Sequence, residues 1–176
     1  MKFKHILIIF IVLWLNAALF TGWRNLDRNE PASPLLEKTI PEFSLPIIGK
    51  ENQFLTKDSF KDKKVFLNFF ASWCKACVKE HPDLIEISKT HALPYYGIAF
   101  KDDDNYINDL IGRFGNPFDL IAADYDGLFG ISLGIMGLPY SMLIDENGTI
   151  IAVHRGVITE RIFNKKFLPL LKDKNL

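Results

Sequence analysis

The chain lacks an excess of charge of either sign. Its 21 basic and 21 acidic residues cancel to a formal net charge of zero over 176 residues. Nucleic-acid proteins draw their affinity from surplus positive charge, so DNA and RNA are set aside as partners. Cysteine is nearly absent: Cys74 and Cys77 are the two in the chain. With no second cysteine pair, a four-ligand structural zinc site lacks half its usual thiolates. Internal repeats and low-complexity tracts are missing too, which leaves no sign of a solenoid or an extended disordered region. The length suits one domain with a real core and is short for two. Fifteen Phe, against three Trp and five Tyr, would fill an apolar interior.

Charge is also absent locally. "ILIIFIVLWLNAALFTGW", Ile6 to Trp23, carries none and holds one amide, Asn16. As a helix it would span roughly 27 Å, enough to cross a hydrocarbon core. Lys2 and Lys4 precede it and favour a cytoplasmic N-terminus, although Arg24 and Arg28 reduce the asymmetry. The run is long for a secretory signal, and "LNA" at Leu15–Ala17 is a weak cleavage site. We read residues 1–5 as a short cytoplasmic end and 6–23 as a transmembrane anchor, with a cleaved signal as the alternative. Residues 24–38, with Pro31 and Pro34 and no periodicity, read as a linker. Residues 39–176 then form the working domain, outside the cytoplasmic membrane.

Within that domain "FSLPIIG" predicts a short edge strand and turn, and "KKVFLNFFA" a strand buried on both faces. A helix is expected from Lys75 to Thr90, with Pro82 inside it as a kink. "YYGIAF" predicts a second buried strand. "DDDNYINDLIGRF" reads as a helix whose acidic start suits the dipole. "YSMLID", "ENG" and "TIIAVHRG" predict a hairpin. "TERIFNKKFLPLLK" closes the chain as one amphipathic helix capped by Thr159. Strand–helix–strand–helix, then hairpin and helix, is a mixed α/β sheet covered on both faces.

Both cysteines sit where the buried strand gives way to the helix. Free N–H groups there stabilise a thiolate at Cys74, Lys75 adds positive charge, and Cys74 is expected to stand open to attack. Cys77, a turn further in, is expected to be less exposed and to resolve the mixed disulfide. A structural staple is the weaker reading, because so short a loop contributes only roughly 2 kcal/mol. Metal binding is the other alternative. His81 could share a helix face with Cys77, and His154 could approach through space, but His81 by itself reads as a partly exposed helix residue.

"WCKAC" after a buried strand, Pro82 five residues past Cys77 and "GLP" before a hairpin strand resemble the thioredoxin superfamily. Asn68 stands where thioredoxin has a buried acid. "NFFASWC", "CVKEHP", "YGIAFKDD", "FGNPF", "DYDGLFGISLGIMGLP" and "LIDENGTI" together resemble the CcmG/DsbE branch over Thr39 to Leu171. The resemblance implies a thioredoxin fold, with a central mixed β-sheet flanked by helices. It implies a thiol–disulfide oxidoreductase of a bacterial inner membrane, single-pass, with its catalytic domain in the periplasm. Cys74 and Cys77 would form the redox-active disulfide, with Glu80 as the acid that tunes it. Pro139 would be the cis-proline, whose exposed carbonyl edge can pair with an extended substrate. Trp73, Leu138 and Tyr140 would complete the docking surface. Tyr140 stands where the branch often has an acid, and Lys75-Ala76 replaces its frequent proline between the cysteines. The implied role is a reductant in cytochrome c maturation. Its partners would be apocytochrome c or a maturation thiol protein, with electrons from a transmembrane thiol donor and no cofactor or metal. A general periplasmic disulfide reductase and a copper metallochaperone remain as alternatives.

Overall fold

The computed structural model describes residues 2–26 and 33–172, with side chains for 4–21 and 33–172. The chain divides into two units, Met1–Pro34 and Leu35–Leu176.

Among the described residues the first unit holds one helix, α1 (Lys2–Leu26). Its side chains from Lys4 to Thr21 are all exposed, and that stretch is long and apolar enough to cross a membrane. The Asn16 amide donates to the Val12 carbonyl at 2.7 Å, and the Thr21 hydroxyl to that of Ala18 at 2.9 Å. Both polar side chains are thus served inside the helix, as a hydrocarbon surrounding would require. The helix continues through Arg24 and Asn25, the first residues of the expected linker. Residues 27–32 of that linker, Arg28 among them, lie outside the described residues.

The second unit opens with backbone pairing before Thr39: the Glu37 N–H donates to Ile150 O at 2.9 Å, and Ile150 N–H to Lys38 O at 2.9 Å. A small antiparallel pair follows, β1 (Ser44–Pro46) with β2 (Phe54–Thr56), then a 3-10 turn over Lys57–Phe60. The remaining elements are β3 (Val65–Phe70), α2 (Lys75–Thr90), β4 (Tyr95–Phe100), α3 (Asp104–Phe114) and β5 (Leu120–Asp124). After them come α4 (Leu128–Ser132), β6 (Tyr140–Ile144), β7 (Ile150–Arg155), α5 (Glu160–Lys166) and α6 (Leu168–Lys172). The main sheet has the order β5-β4-β3-β6-β7, with β3, β4 and β5 parallel and β6 and β7 antiparallel.

β3 is the central strand and all six of its residues are buried. Its period of two divides them between two cores. Phe66 and Phe70 join Leu84, Ile87, Phe163 and Phe167 beneath α2 and α5. Val65, Leu67 and Phe69 join Tyr96, Ile98 and Met142 on the other face. Asn68, midway between Phe66 and Phe70, is therefore carried toward α2. That single alternation places the site described below.

Three regions differ from the sequence expectation: β2 with the 3-10 turn after it, β5 with α4, and the C-terminal helix. β5 and α4 were not foreseen. β5 is a five-residue strand, too short to show a period. α4 has five residues with Gly127 at its N-cap, and the buried Asp124 carboxylate secures it by accepting the Phe129 and Gly130 N–H groups at 3.2 and 2.9 Å. The terminal amphipathic helix is two helices, α5 and α6, parted at Phe167. Pro169 has no N–H to give the Lys165 carbonyl, so the bonding ladder fails there. Thr159 does cap α5, accepting from the Ile162 N–H at 3.3 Å.

Gly97 pairs across the sheet with Asn68, and a Cβ there would lie 2.9 Å from ring carbons of both Phe70 and Phe118. Gly97→Ala should therefore destabilise the full-length protein in detergent by about 1–3 kcal/mol, read as a lower urea midpoint at unchanged slope. Gly112→Ala, inside α3 with open space around it, should be neutral or gain up to about 1 kcal/mol. An unchanged midpoint for Gly97→Ala would mean the two rings yield freely.

Candidate functional site

β3 ends at Phe70, and four residues later Cys74 is the N-cap of α2. The Cys77 N–H points at the Cys74 sulfur at 3.2 Å, and the Val78 N–H donates to the Cys74 carbonyl at 3.1 Å. A first-turn amide and the positive end of the helix dipole thus meet at this sulfur, where they favour an anion. The turn before it is anchored to the segment between β4 and α3. The Asp102 carboxylate accepts from both the Ser72 N–H and the Ser72 hydroxyl, and the Trp73 indole N–H donates to the Lys101 carbonyl at 3.2 Å. Trp73 itself is exposed, as is Lys75. Ser72, Trp73, Lys101, Asp102, Tyr106 and Tyr125 line a cleft of about 570 Å³ beside the cysteines.

The two sulfurs are joined as a disulfide, with Cα atoms 5.2 Å apart. In this oxidised state Cys74 is 7% exposed and Cys77 2%. The order is the expected one, but Cys74 is less open than its place at a helix start suggests, because its sulfur turns in to bond Cys77.

One turn beyond Cys77, Glu80 is fully buried. Its Oε1 accepts from Asn68 Nδ2 at 3.0 Å and its Oε2 from the Ile158 N–H at 2.8 Å. Among the described residues no cation acts on it. Burial pushes its carboxyl up to about 7 from an ordinary 4.5; the Ile158 and Asn68 hydrogen bonds pull the other way, and Asp83 adds to the rise. A carboxyl that changes charge near neutrality, a turn from a thiol, can accept and return a proton. The Asn68 amide also donates to Ser141 Oγ at 3.1 Å, across the Asn68↔Ser141 pair of β3 and β6.

The Leu138–Pro139 peptide is cis. Because Phe69 pairs with Tyr140, Pro139 stands beside the end of β3, where the chain turns toward Cys74. The Pro139 carbonyl receives the Gly156 N–H at 2.9 Å, so the carbonyl edge expected to be exposed there is already engaged. Leu138 is half-buried and packs against the cluster that holds both cysteines. Tyr140 is buried in the opposite core, although it borders a cleft of about 290 Å³ with Met136, Leu138, Pro139 and Arg155.

His81, expected to be partly exposed, is 1% exposed. Its Nε2 lies 2.8 Å from the Gly115 carbonyl at the end of α3, which draws the ring into the α2–α3 contact. The His154 Nε2 lies 3.2 Å from the Val157 carbonyl. Among the described residues no three His, Cys, Asp or Glu side chains gather as a metal site. Asp102 and the Ile158 N–H were not foreseen as parts of the site. Asp102 read simply as a helix opener, and a backbone donor reaching Glu80 across 78 residues of chain leaves no mark in the sequence.

The Redoxin family model matches residues 36–166. The chain is 34% identical over 161 residues to the thiol:disulfide interchange protein DsbE of Allochromatium vinosum, covering 92% of this chain and 88% of that one. To the DsbE of Escherichia coli K12 it is 32% identical over 174 residues, covering 95% and 94%. A secreted thiol-disulfide isomerase from Corynebacterium glutamicum superposes with a TM-score of 0.67 over 82% of this chain and 96% of that one. At 20% identity, that last likeness speaks for the fold. A Cys-x-x-Cys disulfide at the start of α2, a cis-proline beside it and kinship across nearly the whole length agree: the chain belongs to the DsbE family of thiol:disulfide interchange proteins and is a thioredoxin-fold thiol–disulfide oxidoreductase.

Proposed function

We propose that this chain is a reductant of cytochrome c maturation, anchored by residues 6–23 in a bacterial inner membrane, with residues 39–176 in the periplasm. It keeps the haem-attachment C-x-x-C cysteines of apocytochrome c, or of a maturation partner, as thiols, and draws electrons from a transmembrane thiol carrier. The apolar α1 and the DsbE relatives support the setting. The observation that carries the chemistry is Cys74 at the first turn of α2 with Cys77 and the buried Glu80 behind it.

The dithiol form acts in two exchanges. The Cys74 thiolate attacks one sulfur of the substrate disulfide; a Cys74–substrate bond forms, the substrate S–S bond breaks, and the departing sulfur takes a proton from water. Cys77 then gives its proton to the Glu80 carboxylate and attacks Cys74. The mixed disulfide breaks, the Cys74–Cys77 disulfide forms, and the second substrate sulfur leaves and is protonated. Two electrons pass from the pair to the substrate. Trp73, Leu138, Pro139 and Tyr140 border the surface on which the substrate segment lies.

The trap follows from these roles. Full-length reduced Cys77→Ser mixed with an oxidised peptide bearing C-x-x-C-H should hold it as a mixed disulfide seen by mass spectrometry. Cys74→Ser should hold none. Equal trapping by both variants would overturn the roles, and capture confined to unrelated disulfide proteins would favour a general reductase.

Glu80 also makes stability depend on pH. Its carboxyl titrates near 7 when folded and near 4.5 when unfolded, so the folded disulfide form binds more protons between those values. The stabilising contribution is complete below about pH 4.5 and is lost as pH rises through 7, by roughly 3 kcal/mol in all. Glu80→Gln should remove that slope from the oxidised protein's urea stability measured from pH 4.5 to 8. An identical slope in wild type and variant would contradict the assignment.

A further inference from the structure

Asn68 is an amide set into an aromatic strand. It is 0% exposed, and so are the two side chains it meets, Glu80 and Ser141. Both of its contacts use Nδ2, which donates to Glu80 Oε1 at 3.0 Å and to Ser141 Oγ at 3.1 Å. Its Oδ1, equally buried, has no hydrogen-bond partner among the described residues. Such an arrangement is costly in a core, where an apolar side chain of the same size would leave nothing unmet on the strand.

We propose that Asn68, braced by Ser141, is the positioning residue for proton transfer at the dithiol: its amide meets the Glu80 carboxyl in either proton state by turning over. The inference rests on Glu80 being the acceptor of the Cys77 proton. A primary amide carries a donor and an acceptor on one planar group, and a half-turn about its last bond exchanges them. With Glu80 ionised, Nδ2 donates to Oε1, as observed. Once Glu80 holds a proton its O–H requires an acceptor, and the turned amide offers Oδ1 there. The Ser141 hydroxyl can follow, rotating from acceptor to donor, because a hydroxyl serves as either. The Ile158 N–H serves Oε2 throughout. A proton can then arrive and depart with no exchange of solvent and no polar atom of the carboxyl left unmet.

The other groups around the carboxyl do not perform this task. α2 contributes Cys77 a turn before and Asp83, which raises the carboxyl's proton affinity and itself accepts the Glu160 N–H at 3.4 Å. The segment before α5 contributes a backbone donor; β3 and β6 contribute Asn68 and Ser141, neither of which titrates. An aspartate at position 68 could accept from the acid but would set a second negative charge against the carboxylate. A leucine could neither donate nor accept.

The test uses full-length disulfide-form protein in detergent micelles, labelled with ¹³C at glutamate carboxyls, the Glu80 signal being the one lost in Glu80→Gln. Asn68→Leu should raise the Glu80 midpoint by about one pH unit or more, because the carboxylate loses its side-chain donor. Ser141→Ala should raise it less. The double variant should go no further than Asn68→Leu, since Ser141 acts through Asn68. In the reduced proteins, release of a dye-labelled C-x-x-C-H peptide at pH 7 should slow in the same order, about fivefold for a one-unit shift. An unshifted midpoint in Asn68→Leu overturns the proposal, and additive shifts overturn the bracing role of Ser141. Were Asn68→Leu not to fold, an unshifted Ser141→Ala would overturn it alone. Should Glu80→Gln leave the pH profile of peptide release unaltered, the reading of Glu80 as proton acceptor fails instead, whatever the carboxyl titrations give.

Discussion

A carboxyl held in the core, met by hydrogen-bond donors and by no cation among the described residues, is the constraint around which this domain is organised. Glu80 touches water nowhere, and its two oxygens are met by a side-chain amide from β3 and a backbone N–H from the segment before α5. Those contacts draw together α2, the central strand and the C-terminal helices, the same elements whose phenylalanines fill the first core. The packing that stabilises the sheet and the packing that desolvates the carboxyl are one arrangement. A group so placed gains little from ionisation, which is why its proton affinity sits near neutrality.

The two sulfurs lie on opposite sides of a gradient. Cys74 stands at the positive end of α2, with a helix N–H aimed at its sulfur and Lys75 in solvent beside it. Cys77 lies inward, between that end and Glu80. Helix-end stabilisation of an anion is worth up to about 2 kcal/mol in partly buried settings, or more than one pH unit of thiol ionisation. On the inner side, desolvation and a neighbouring carboxylate act in the opposite sense on Cys77. Backbone geometry and burial thus set the two sulfurs in different surroundings, which is what the proposed division into attacker and resolver rests on.

Much of this was legible in the sequence. A six-residue run, apolar but for Asn68, announces a strand buried on both faces, and Cys-x-x-Cys soon after it, opening a helix, announces an activated thiol. The cis-proline and Glu80 came through family resemblance, because no local property of "GLPY" or "CVKE" distinguishes them, whereas the anchor was legible in the uncharged apolar run of residues 6–23 itself. The unforeseen parts have physical reasons. β5 and α4 are five residues each, too short for a period, and they form because β4 offers an edge and Asp124 a cap. His81 sits on a helix between polar neighbours, and its burial depends on where α3 ends, 34 residues later. Asn68 was visible as an oddity in an apolar run. That it faces Glu80 follows from the sheet period, but that Ser141 stands opposite depends on register between strands 73 residues apart.

The central claim is that the fold ionises one thiol and withholds ionisation from its neighbour. The direct measurement is alkylation of the fully reduced, full-length chain by iodoacetamide across pH, with each cysteine followed separately by mass spectrometry. Cys74 should react with a midpoint below the free-cysteine value of about 8.5, and Cys77 with one above it. A common midpoint for the two, or a Cys77 that reacts first, would contradict the account.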